Sequence, residues 1–116
     1  MKSSELAFVG ALVFACPWFS ESFQEHVDFY DGVLPHLFIA DVERWAEDQF
    51  DSGPIQVAGK LDTVLAFLEH GMGVGPDIAE LVSVSFLEHL PRPGEPRSGL
   101  RLLVGEKCAR QLDVIG

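Results

Sequence analysis

Pro35-His36-Leu37-Phe38-Ile39-Ala40-Asp41-Val42-Glu43-Arg44-Trp45-Ala46-Glu47-Asp48-Gln49-Phe50 is the stretch on which the fold turns. Phe38, Val42, Trp45 and Ala46 recur at three- and four-residue spacing, the period of one helical face. Asp41, Glu43, Arg44, Glu47 and Asp48 lie mainly outside that stripe and read as a solvated polar face. Pro35 is tolerated in the first turn, where its missing N–H costs nothing. The spacing therefore predicts an amphipathic helix over residues 35–50, and its apolar side demands helical neighbours.

The same period continues on both sides. Upstream, Pro17 opens a predicted helix carrying Phe19, Phe23, Val27 and Tyr30, and Asp31-Gly32 ends it. The apolar run from Leu6 to Ala15 follows Lys2, as a secretory signal would. Glu5 cancels that charge, and Phe14 is bulky where a cleavage site before Cys16 wants a small residue. Some ten residues are also too few to span a bilayer. The run is read as a buried first helix.

Downstream, Asp51-Ser52-Gly53-Pro54 breaks the chain. Val57, Leu61, Val64, Leu65 and Leu68 then mark a helix closed by His70-Gly71. Gly75-Pro76-Asp77 opens another, running to about Leu90 through Ile78, Leu81, Val82 and Phe86. Val82-Ser83-Val84-Ser85-Phe86 also alternates like a strand, so helix and strand both stay open for residues 81–87. Phe67-Leu68-Glu69-His70 returns as Phe86-Leu87-Glu88-His89, as if two antiparallel neighbours each ended in two core and two solvent-facing residues. After the proline-rich loop Pro91 to Pro96, Leu100 to Val104 and Glu106 to Leu112 read as short helical pieces hinged at Gly105. The expectation is an all-α fold: one domain over residues 1–116, a compact bundle of about five to seven helices with short connections.

The 116 residues are 47% hydrophobic, with nine Phe and two Trp. That is enough for one real core without metal or disulfide support. Cys16 and Cys108 form no metal-like or redox motif and read as reduced thiols of a cytoplasmic protein. Eighteen acidic residues against eight basic give a net charge of −10. Such a field repels nucleic acid and anionic membranes and attracts basic partners. Between Glu21 and Asp51 stand nine acids and one base, Arg44, whereas from Pro91 onward five bases outnumber three acids.

Catalytic patterns are not found. The four histidines, His26, His36, His70 and His89, show no HExxH or paired spacing, so no metal or other cofactor is expected, and helix-end positions are the preferred reading. Gly71, Gly73 and Gly75 lack the Lys-Ser/Thr of a phosphate loop and read as a connector. No GxSxG elbow occurs. An enzyme assembled from isolated residues such as His36, Asp41 and Arg44 is the minor alternative.

Leu81-Val82-Ser83-Val84-Ser85-Phe86-Leu87-Glu88, followed by Leu102-Leu103-Val104-Gly105-Glu106-Lys107, resembles a pattern of small, mostly uncharacterised all-helical bacterial proteins. Leu34 to Asp41 is similar to their middle segment, and Glu106 stands where that pattern has a proline. Proteins of this type resemble the immunity proteins encoded beside secreted bacterial toxins. The resemblance implies a tight toxin-neutralising partner and carries no catalytic residues. The expected function is a non-enzymatic, immunity-type protein occluding the active site of a basic toxin, a nuclease by its charge. The acids expected to meet that partner are Asp28, Asp31, Asp41, Glu43, Glu47, Asp48 and Asp51. The alternative is a regulatory or scaffold module that grips a protein through an apolar groove.

Overall fold

The computed structural model describes residues 2–52 and 54–115, without the side chains of residues 54–58. Among them are six α-helices and no strand: α1 (Ser3–Ala15), α2 (Ser20–Tyr30), α3 (Pro35–Asp51), α4 (Pro54–Gly71), α5 (Pro76–Ser85) and α6 (Glu106–Ile115). Single turns of 3-10 helix cover Pro17–Phe19 and Leu87–His89, and a longer one covers Ser98–Leu102. The expected all-α bundle is the observed fold. Val57, placed on an apolar stripe from sequence, lies outside the described side chains.

α3 sits centrally, packed against α1, α4 and α5. Phe38, Val42 and Ala46 enter one continuous core with Ile39, and Trp45 packs against its edge. From α1 come Phe8, Val9 and Leu12; from α4, Leu61, Val64, Leu65 and Leu68; from α5, Ile78, Leu81 and Val82. Both cysteines are free and buried, Cys16 beside α1 and Cys108 on α6. α1 is thus a core helix along one side, although Phe14 stands 90% exposed at its end. No single helix among the described residues is long and apolar enough to cross a membrane.

The open choice for residues 81–87 resolves as helix. α5 nevertheless stops at Ser85, short of the expected Leu90, and the chain tightens into the Leu87–His89 turn. Leu90 is extended (φ −61°, ψ 145°), the conformation that Pro91 imposes on its predecessor. Pro17 likewise opens a 3-10 turn, bending the chain 109° from α1 to the helical segment that follows. The predicted end at Asp31-Gly32 is a left-handed cap: Asp31 has φ 54° and Gly32 φ 147°.

The two Phe-Leu-Glu-His segments do different work. Glu88 and His89 face solvent, as expected, but Glu69 turns toward α6. Its Oε2 and Oε1 accept the backbone N–H groups of Lys107 (2.8 Å) and Cys108 (2.9 Å), two of the free donors at the start of α6. Burial opposes a charge there, yet those two N–H groups outweigh it and hold the Glu69 carboxyl below the usual carboxylate range. A Cβ on Gly105 would stand 2.5 Å from Glu69 Cδ, so any larger residue there would have to displace the capping carboxylate. Glu69→Ala should cost about 1–2 kcal/mol at pH 7 by thermal or urea unfolding. Because the folded pKa is lowered, the cap's contribution is present above the unfolded carboxylate pKa of about 4.5 and is lost as pH falls through the folded value. The difference between variant and parent should therefore shrink in acid.

Candidate functional site

α2 and α3 form an antiparallel hairpin glued by aromatic rings. Phe19 meets Trp45 edge-on with centroids 4.8 Å apart, and Phe23 meets Phe38 edge-on at 5.4 Å. Trp18 stacks on Trp45 at 6.3 Å and 21°. These edge-to-face and offset contacts are the arrangements aromatic quadrupoles favour. Along α2, Glu21, Glu25 and Asp28 recur at four and three residues and share one exposed face. Along α3, Asp41, Arg44, Asp48 and Asp51 do the same.

Where the two helices part, a cleft of about 290 Å³ opens. Trp18, Phe19, Phe38 and Trp45 give it aromatic walls, and Glu21, Glu25 and Asp41 bring carboxylates to it from both helices. Lys60 Nζ lies 5.5 Å from the Trp18 ring centroid, so this indole already engages one cation of its own chain.

The seven acids expected to face a partner divide into two groups. Asp28, Asp31, Asp41, Asp48 and Asp51 are exposed. Asp41 is paired with Arg44 one turn along, and Asp31 serves as the left-handed cap of α2. Glu43 does not belong to the solvated face assigned to it. Only 2% of it is exposed, and its Oε2 has no hydrogen-bond partner. Half a turn from Asp41 and nearly one and a half from Asp48, it faces inward with the apolar stripe, and Glu47 follows it one turn later, half-buried.

Burial pushes the Glu43 pKa up, to about 9, and the hydrogen bond and negative charge of Glu47 push the same way. At neutral pH Glu43 is thus a protonated acid, and it has no charge to offer a partner. Arg97 closes the group from the far end of the proline loop: its Nε donates to Asp51 (2.5 Å) and its Nη1 to Glu47 (3.5 Å). This excess cation of the C-terminal segment therefore neutralises part of the acidic helix within the molecule.

Of the isolated trio His36, Asp41 and Arg44, the last two form their own ion pair and His36 turns elsewhere. Its Nδ1 lies 2.5 Å from Ser85 Oγ, and its Nε2 lies 3.4 Å from Glu5 Oε2. The order carboxylate, imidazole, hydroxyl is that of a hydrolase relay. Ser85 is 2% exposed, however, so no substrate carbonyl can reach its Oγ. The contacts instead tie α3 to α1 and α5.

His26 is also not a solvated helix-end residue. It is buried in α2 and its Nε2 accepts the N–H of Leu34, closing the turn into α3. Burial raises the pKa of both thiols, that of Cys108 to about 12 with the Glu69 carboxylate adding to the effect. Neither is available as a thiolate nucleophile at neutral pH. Among the described residues, no three His, Cys, Asp or Glu side chains converge as a metal site would need.

Glu21 and Glu25 were not among the acids singled out from sequence, although their spacing with Asp28 announces the shared face. Trp18, Trp45 and Arg97 carried no such signal, since each acts through contacts between separate elements. Comparison with protein-family models, curated proteins and solved structures gives no match.

Proposed function

We propose that this protein is an immunity-type inhibitor: it binds a basic toxin domain, one that cleaves nucleic acid, and covers its active site. The supporting observation is the anionic face of the α2–α3 hairpin. Glu21, Glu25 and Asp28 on α2 and Asp48 on α3 are exposed and have no ion-pair partner among the described residues. Two helices joined by a short turn hold these carboxylates in a fixed pattern, able to replace phosphates in a groove lined with Lys and Arg. We read the protein as non-enzymatic, because its nucleophile candidates Ser85, Cys16 and Cys108 are all buried. The free thiols favour a reducing compartment, the cytoplasm.

The test is co-expression with the product of the adjacent reading frame, followed by co-purification and a growth-protection assay. Rescue of growth from a basic nuclease is the expected result; an adjacent product that neither binds nor harms the cell would sink the reading. Complementary charge acts chiefly on encounter. Reversing Asp28, Asp41 and Asp48 together to Lys should therefore slow association at least about tenfold in surface-based kinetics at low salt. The parent complex should also associate more slowly as salt rises. Glu43 is left out of that set because a buried reversal would disrupt folding instead of encounter.

A second reading, a regulatory or scaffold module with an apolar contact, draws on the corner between α2 and α3. Phe29, 81% exposed, stands there with Tyr30, Leu34 and Leu37, all exposed. Binding through that corner would be insensitive to salt and abolished by Phe29→Ala.

A further inference from the structure

We propose that the cleft between α2 and α3 is a receptor for a single arginine side chain presented by a basic protein partner. The inference rests on the anionic reading of the hairpin and goes further, naming the place and the group bound. Three observations on one spot carry it: size, wall chemistry and charge.

At about 290 Å³ the cleft lies at the bottom of the range that small-molecule pockets occupy, the size for one long side chain. Its accessible aromatic wall is made by the half-buried Trp18 and Trp45, with the buried Phe19 and Phe38 packed behind them. A flat, weakly hydrated guanidinium stacks on such rings with less desolvation than a compact ammonium. Lys60, which is not part of the cleft lining, already places one cation 5.5 Å from the Trp18 ring centroid.

Charge selects among possible occupants. Asp41 is held by Arg44, whereas Glu21 and Glu25 have no cation of their own among the described residues. Two open carboxylates one turn apart on α2 match the forked donors of a guanidinium, and they disfavour an apolar or anionic occupant. The occupant is accordingly the arginine of a basic partner rather than a lysine or a leucine.

The chain has two tryptophans and both line the cleft, so their indole N–H resonances report on it directly. The full-length protein is titrated with a blocked pentapeptide, Gly-Gly-Arg-Gly-Gly, and with the same peptide carrying citrulline or lysine. The arginine peptide should shift both indole signals saturably, with Kd on the order of 1–10 mM, as one stacked and ion-paired group warrants. Citrulline keeps the shape and loses the charge, and should bind at least about tenfold more weakly. Lysine should bind about threefold or more weakly.

Glu21→Gln with Glu25→Gln, both surface changes that leave the helix intact, should weaken the arginine peptide about fivefold or more. The assignment is overturned by no saturable shift, by equal binding of citrulline or lysine, or by unchanged binding to a double variant with native circular dichroism. No toxin is needed here. A silent titration beside intact growth protection removes the cleft alone, whereas a positive titration with no basic partner captured removes the toxin reading and leaves the cleft standing.

Discussion

Glu43→Gln should make the protein more stable at neutral pH, by about 2 kcal/mol, a gain where buried substitutions usually cost. The reason lies in the linkage. The Glu43 carboxyl holds its proton in the folded chain up to about pH 9, because burial and then Glu47 disfavour its charge. In the unfolded chain it releases that proton near 4.5. A folded pKa raised above the unfolded one gives a contribution fully present below about 4.5 and lost as pH rises through 9. Parent stability should therefore decline across that window through this residue. Glutamine keeps the shape, can still donate to Glu47 and has no proton to lose. Urea unfolding of both proteins at pH 4.5, 7 and 9 checks this: the curves should nearly meet in acid and separate progressively above it. Equal separation at all three values would show that Glu43 is not held protonated.

Phe38→Ala should have the largest destabilising effect, about 3–5 kcal/mol, with Tm falling on the order of 10–20 °C. Phe38 is 1% exposed and lies edge-on to three other rings: Phe19 at 6.4 Å, Phe23 at 5.4 Å and His26 at 5.5 Å. Truncation opens a cavity where α2 meets α3 and removes all three contacts at once. The neighbouring Leu37→Ala, at an exposed position, should stay within about 0.5 kcal/mol. Equal losses at the two positions would mean that this hairpin is not packed as described.

The helical order was legible because period and punctuation agreed. Pro35 opens α3 and Pro76 opens α5, each at the expected residue, and Asp31-Gly32 stops α2. Where proline forced a tighter turn, at Pro17 and ahead of Pro91, helical spacing alone overran the true boundary. The site was legible only as charge. Spacing placed Glu43 beside Asp41 in the polar set, but a stripe drawn for one helix ignores how widely its neighbours cover it. Here α3 is central, packed by α1, α4 and α5 as well as by the aromatic rings of α2, and its buried arc extends to Glu43. Arg97 could not be foreseen as the partner of Glu47 and Asp51, being 50 and 46 residues distant from them. The Glu5–His36–Ser85 chain is hidden for the same reason, since its members come from three helices.

The borrowed cap of α6 bears on how the protein opens. This last helix buries only Cys108 and Leu112 and draws two of its first hydrogen bonds from a side chain 38 and 39 residues upstream. A ten-residue helix of that kind has little cohesion by itself. It should detach as a unit while the remaining bundle stays closed, so its amides exchange with solvent deuterium before those of α3 or α5. Protonating that single carboxylate, which takes acid below the usual carboxylate range, loosens the clasp and should make the C-terminal tail the first region to yield to an acid-active protease.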